Sequence, residues 1–202
     1  MKQYRDDGIV LRTHKLGEAD RIITVLSRRT GRIRAVGKGV RRTKSRFGGR
    51  LEPFTHVDLQ FHEGRSLDVI TQAETLRPYG EPLVGDYPRY TAGVAMLETA
   101  ERFTPEEKEP ALRQFLLLVG GLRTLGSREH DPRLVLDAYL LRSLAVAGYA
   151  PSLEDCALCG TRQGGQGHSR SFAVVAGGVV CHSCRPPGAS SPALLTVNLM
   201  SA

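Results

Sequence analysis

Tryptophan is absent from this 202-residue chain, and phenylalanine and tyrosine contribute only six residues each. Proteins that store single-stranded nucleic acid tightly need rows of aromatic platforms for base stacking, so that class is disfavoured. No apolar run approaches the ~20 residues of a membrane-spanning helix. The opening Met1-Lys2-Gln3-Tyr4-Arg5-Asp6-Asp7 lacks the apolar stretch of a secretion signal. Together these absences predict a soluble, unexported protein of the cytoplasm. Hydrophobic residues make up 41% of the chain, and counting Gly in and Tyr out gives roughly 49%, which excludes disorder of the whole. The length suits one large domain or two small ones.

Acid is missing where base is densest. Residues 1–50 hold 15 Lys and Arg against 4 Asp and Glu, whereas the remaining 152 hold 13 against 17. Residues 28–50 alone carry ten basic side chains and no carboxylate. So one-sided a field repels itself and costs folding energy unless a polyanion sits there. Nucleic acid is the expected partner; a solvated basic face or a patch for an acidic protein is the plainer alternative.

The first eighty residues read as strands. Ile9-Val10-Leu11 opens an apolar run, Gly17 and Asp20 mark a turn, and Ile22-Ile23-Thr24-Val25-Leu26 is β-branched. After Thr30-Gly31, Ile33, Ala35 and Val36 follow with Arg32 and Arg34 alternating outward. Lys38 to Gly49 has no apolar period and is expected to be a basic loop projecting from the fold. Val57, Leu59 and Phe61 share one face of a strand, and Leu67-Asp68-Val69-Ile70 supplies another. About five short strands suit a small barrel, of which the OB-fold is the commonest five-stranded kind.

Pro78, Pro82 and Pro88 then punctuate a linker, and the period becomes helical. The expected apolar stripes are Tyr90, Val94 and Leu97 (with Glu101 polar); Leu112, Phe115, Leu116, Val119 and Leu122; and Leu134, Ala138, Leu141 and Ala145. Asp131-Pro132 is an N-cap with Pro at the first helical position, and Gly148 stops that helix. The polar faces carry no evident chemistry.

All four cysteines lie beyond this point: Cys156-Ala-Leu-Cys159, 21 residues, then Cys181-His-Ser-Cys184. A two-residue gap lets both thiolates of a knuckle face one ion, and Gly160 can adopt the positive φ that such a turn favours. Between the pairs, Gly177-Gly178 is a two-residue hairpin signal. Disulfides would need an oxidising compartment, and a redox motif would not need duplicating. The pattern predicts a zinc ribbon holding one structural ion through Cys156, Cys159, Cys181 and Cys184. His168 and His182 are expected to stand by. Four thiolates fill a tetrahedral ion and leave no open position for catalysis.

Enzymatic readings find little support. Gly31 to Lys38 misses the phosphate-loop pattern by one residue, and Gly39 stands where Ser or Thr should be. His56, Asp58, Gln60 and His62 share a strand face that is more simply the wet side of Val57, Leu59 and Phe61. The chain is expected not to be an enzyme.

The segment Val36-Gly-Lys-Gly-Val-Arg-Arg-Thr-Lys-Ser-Arg-Phe47, continuing into Leu51-Glu-Pro-Phe54, resembles the DNA repair protein RecO family. So do Gly8-Ile-Val-Leu11 with Leu16-Gly-Glu-Ala-Asp20, and Gly148-Tyr-Ala-Pro-Ser-Leu153 before the first cysteine pair. The resemblance implies an α+β multidomain protein with an N-terminal OB-fold β-barrel, a central α-helical domain and a C-terminal zinc ribbon. The expected boundaries are 1–80, 81–150 and 151–188, with 189–202 beginning a last helical segment that family members usually continue further. Leu194-Leu-Thr-Val-Asn-Leu-Met200 would start it. The implied function is that of a nucleoid-associated recombination mediator acting with RecR. Such proteins bind single- and double-stranded DNA, anneal complementary strands and help RecA displace single-strand binding protein (SSB). In some members the SSB C-terminal tail docks on the helical domain.

On this reading Lys38, Arg41, Arg42, Lys44 and Arg46 neutralise phosphates from a mobile loop, and Arg32 and Arg34 extend the track along a strand. Phe47 is the one aromatic of the loop placed to stack on a base, the alternative being packing on the barrel rim. Backbone contacts carry no sequence information, so binding should be indifferent to sequence and weakened by salt. Competing readings are an RNA-binding or transcription-associated OB-plus-ribbon factor, a zinc nuclease using the His56–His62 face, and an adaptor for an acidic protein tail.

Overall fold

Period-two alternation places one face of each N-terminal strand inward. Five strands result: β1 (Gln3–Leu16), β2 (Asp20–Ser27), β3 (Gly31–Gly37), β4 (Thr55–His62) and β5 (Asp68–Pro78). They close into a barrel of order β1-β2-β3-β5-β4, antiparallel except for a short parallel pairing of β3 with β5. The structure, a computed structural model, describes residues 2–162 and 171–189. The chain forms two compact units, Met1–Ser143 and Leu144–Ala202.

In β4, Val57, Leu59 and Phe61 point inward and the intervening polar residues outward, as alternation predicts. β1 over residues 8–11 and β2 over residues 23–27 are buried on both faces. Val10, Ile23 and Val25 fill the barrel, while Ile9, Leu11 and Leu26 join a second core shared with the helices. A bulge between Val10 and Arg12 accompanies this change of face along β1. β5 runs well past Ile70, through the polar stretch to Pro78, because β4 supplies its pairing partners as far as Thr55. At its start the buried Asp68 accepts hydrogen bonds from the Tyr4 hydroxyl, from Lys108 Nζ at 3.0 Å and from the Gly64 N–H at 3.2 Å. Burial pushes the Asp68 carboxyl up, yet these donors outweigh it and hold the group below the usual carboxylate range.

Three helices complete the first core: α1 (Tyr87–Arg102), α2 (Leu112–Ser127) and α3 (Pro132–Val146). Asp86 caps α1 by accepting from the Arg89 N–H, and Asp131 accepts from the Arg133 N–H at 2.8 Å, with Pro132 in the first turn. The buried faces differ from the expected stripes. In α1 they are Ala92, Gly93, Met96, Leu97 and Ala100, and Tyr90 is largely exposed. In α2, Phe115, Leu118, Leu122 and Leu125 are buried whereas Leu112 and Leu116 are exposed. In α3, Val135, Tyr139 and Ser143 face inward, one or two residues along from Leu134, Ala138 and Leu141 of the expected stripe. Apolar side chains cover more than one side of these helices, so periodicity alone does not select the packed face. A Cβ on Gly93 would sit 2.9 Å from the Phe54 ring, so glycine there lets α1 approach closely.

Within the second unit, β6 (Ser171–Ala173) and β7 (Gly178–Val180) pair antiparallel. The hairpin is present, but its connection is Val174 to Gly177 rather than Gly177-Gly178. Gly177 alone takes a positive φ, +70°. Gly178 lies in the strand, where a Cβ would meet the Ser152 carbonyl oxygen at 2.4 Å. Ser152 exploits that closeness, donating its N–H to the Gly177 carbonyl and accepting from Val179. His168 and the segment Leu194 to Met200 lie outside the described residues. Among the described residues, no helix is long and apolar enough to cross a membrane.

Candidate nucleic-acid interface and cysteine centre

The basic segment does not project from the barrel; it is folded back over one end. Val40, Phe47 and Leu51 insert into the barrel core and are nearly or wholly inaccessible. The backbone is tied to the β1–β2 turn, with Arg41 N–H donating to the Ala19 carbonyl at 2.9 Å and Gly39 N–H to Asp20 Oδ1 at 2.8 Å. Local turns follow, from Arg42 N–H to the Gly39 carbonyl and from Ser45 N–H to the Arg42 carbonyl. Apolar anchors at three points thus fix a loop whose charged side chains have no room inside and must face out.

Lys38, Arg41, Arg42, Lys44 and Arg46 are all exposed. None of them is ion-paired with a carboxylate among the described residues. A shallow concavity of about 530 Å³ lies among them, lined by Lys38, Gly39, Arg42, Lys44 and Arg46, with Asp20 at its edge. Asp20 is already engaged by the Gly39 N–H. Unpaired guanidinium and ammonium groups around a concavity suit a phosphate backbone.

Three expected site residues behave differently. Phe47 is 1% exposed, with the Arg46 guanidinium 4.8 Å from its ring centroid, so the ring packs as a barrel anchor and offers no face for base stacking. Arg32 donates to the Pro105 carbonyl and lies 3.8 Å from Glu101. Arg34 pairs with Glu107 at 3.3 Å. The two β3 arginines therefore do not extend an open track in this state. Asp20 and the Gly17 carbonyl, which accepts from Arg41, hold the loop in place, which charge alone does not reveal. Their signal in the sequence is the Gly17–Asp20 turn, which by itself indicates only a change of chain direction.

The polar face of β4 is occupied by structural pairs. Asp58 accepts two hydrogen bonds from Arg5, at 2.8 and 2.6 Å, which hold its carboxyl below the usual range. His56 Nε2 meets Asp7 at 2.9 Å and Gln60 bonds Gln3. These contacts are those of a solvated barrel wall.

The four cysteines converge. Their sulfurs lie within 4.8 Å of one another, and this is the one group of metal-ligating character among the described residues. All four are free thiols, and the 3.9 Å between Cys159 and Cys181 Sγ is far too long for a disulfide bond. Gly160, at φ +71°, closes the first knuckle by donating to the Cys156 carbonyl. Backbone N–H groups of Cys159, Cys181 and Leu158 aimed at the Cys156 sulfur hold its thiol down at about 6, while neighbouring sulfurs, Cys181 first, push Cys184 up to about 12. A divalent ion bound by the four sulfurs would deprotonate all of them. The donor set and spacing fit one metal ion. His182 is exposed and outside the cluster.

Comparison with known proteins agrees with this architecture. The family model for the Recombination protein O N terminal matches residues 1–79, and that for the Recombination protein O C terminal matches 84–202. The DNA repair protein RecO of Thermobifida fusca is 69% identical over 202 residues, covering 100% of this chain and 82% of the relative. Those of Nocardioides sp. and Streptomyces griseus are 65% and 63% identical, over 98% and 100% of this chain and 81% and 82% of theirs. With an OB-type barrel, a helical middle, a four-cysteine module and relatives this similar along its length, the chain belongs to the RecO family of DNA repair proteins.

Proposed function

We propose that the protein is a recombination mediator that binds single- and double-stranded DNA through phosphate contacts, anneals complementary strands and, with RecR, assists RecA loading on SSB-coated DNA. The observation that carries this reading is the 38–46 loop: five exposed cations without carboxylate partners among the described residues, held over the barrel end by buried apolar anchors. Fixed cations screen two backbones without reading bases, which serves pairing of any complementary sequences. Aromatic stacking contributes little, since Phe47 is buried. The SSB C-terminal tail is a further proposed partner. Cys156, Cys159, Cys181 and Cys184 would hold one Zn²⁺, which supplies folding energy and no open coordination site for chemistry. The protein acts here as a mediator rather than an enzyme.

The direct test is annealing of two complementary oligonucleotides, each coated with bacterial SSB. Acceleration that survives the coat is expected. Acceleration confined to bare strands would reduce the protein to a generic polycation.

A further inference from the structure

The connection between α1 and α2 reads Thr104-Pro-Glu-Glu-Lys-Glu-Pro110, with three carboxylates in four residues. It lies along the edge of β3 that β5 leaves open. β3 pairs with β5 only at Ala35 and Val36. Nearer its start, Arg32 instead bridges Glu107 in the parallel sense, and the Lys108 N–H donates to the Arg32 carbonyl at 2.9 Å. The approach is so close at Gly31 that a Cβ there would stand 1.7 Å from the Glu109 carbonyl oxygen. Side chains repeat the contact. Arg32 donates to Pro105 O, Arg34 meets Glu107 at 3.3 Å, and Lys108 Nζ reaches the buried Asp68 at 2.9 Å.

This strap is loosely made for a strand. Pro105 and Pro110 have no N–H to offer a ladder. Lys108 sits at φ +62°, a region that non-glycine residues enter at a cost. Among the described residues, Arg32 Nε is buried with no hydrogen-bond partner, so the strap satisfies that guanidinium incompletely. Glu106, Glu107 and Glu109 are exposed, so the segment sets a line of negative charge over the two β3 arginines. Those arginines belong to the same acid-free stretch, 28–50, as the open cations of the loop.

We infer that the 105–110 strap is a built-in polyanion mimic that occupies Arg32 and Arg34 and is displaced by a nucleic-acid backbone. The inference rests on the proposed DNA-binding reading. In the resting protein the 38–46 loop is open while the two β3 arginines are engaged. When a phosphate backbone runs on from the loop, its phosphates replace Glu107 at Arg34 and the Pro105 carbonyl at Arg32. The strap thereby restrains weak or short contacts and yields to a long strand.

The test uses the full chain and a dT oligonucleotide. Replacing Glu106, Glu107 and Glu109 by Gln should tighten binding several-fold at fixed salt and leave the slope of log K against log salt unchanged, since wild type neutralises the same phosphates once its strap is displaced. With Arg32→Gln and Arg34→Gln already in place, the same three changes should tighten binding far less. Unchanged affinity in the triple variant overturns the inference, as does a gain of equal size without the two arginines, which would be a general charge effect. A second measurement needs no variant: saturating wild-type protein with the oligonucleotide should speed hydrogen exchange at the Lys108 amide, and slowed or unchanged exchange overturns displacement. Replacing Arg41, Arg42, Lys44 and Arg46 by Ala in parallel separates the two readings. If those changes leave the slope intact, the DNA-binding reading itself fails; if they flatten it while the strap variants do nothing, only the strap fails.

Discussion

The barrel gathers Val10, Ile23, Val25, Ile33, Phe47, Leu59, Phe61 and others into one buried cluster, whereas the cluster of the cysteine module among the described residues is Cys156, Ala173 and Val180. The first is enough apolar surface to drive folding; the second is not, because small modules bury too little of their chain to offset its conformational entropy. One unit is held by hydrophobic burial; the other has a cluster of four sulfurs that fits one metal ion. Perturbations aimed at one mode of stabilisation should leave the other unit standing.

The largest effect is expected from the metal. Structural zinc contributes about 10–16 kcal/mol in small zinc modules. Cys181→Ser, or strong chelation, should abolish stoichiometric metal and remove hydrogen-exchange protection at Ser152 and Val179, with the barrel amides still protected. Metal content equal to that of wild type in Cys181→Ser would contradict the assignment. Next comes the barrel core. Phe61→Ala, at a fully buried site stacked on Tyr4, should cost about 3–5 kcal/mol in chemical denaturation while metal content stays at wild-type level.

Asp68 sharpens the comparison further, because it is a polar contribution inside the hydrophobically built unit. Asp68→Asn should cost about 1 kcal/mol near neutral pH, since it weakens the bond from the Tyr4 hydroxyl and removes the pairing with a Lys108 ammonium that water partly screens. The Asp68 carboxyl is held below its unfolded value. Its stabilisation is therefore present above the unfolded pKa of about 3.9 and is lost as pH falls through the lower folded value. The gap between wild type and Asp68→Asn should close on acidification, as urea titrations across that range would show. A gap independent of pH would mean the carboxylate charge is not what matters.

The same contrast explains what can be read from residues alone. β4 announces itself because Val57, Leu59 and Phe61 alternate with polar neighbours, and a half-buried strand has no other way to place them. The cysteine pairs do likewise, since C-x2-C spacing constrains chemistry rather than packing. Helix faces are not legible in the same way. Leu134 and Val135 are equally apolar, and only the partner surface decides that Val135 goes inside. The seat of the basic loop is hidden for a related reason: Val40, Phe47 and Leu51 are isolated among charged and small residues in a stretch of turns, so their joint insertion into the barrel exists only in three dimensions. The strap leaves no signal either, because Glu106, Glu107 and Glu109 read as an ordinary solvated run.

The smallest effect on stability and the largest on function should coincide in the loop. Arg41, Arg42, Lys44 and Arg46 are exposed and lie outside the barrel core, so changing all four to Ala should alter each site's contribution to folding by no more than about 0.5 kcal/mol. DNA binding by that variant is the decisive measurement. With double-stranded DNA, the slope of log K against log salt should fall by about 3 to 4, at roughly 0.9 for each phosphate no longer neutralised. A folded variant that keeps the full wild-type slope would show that the loop is not where the backbone binds.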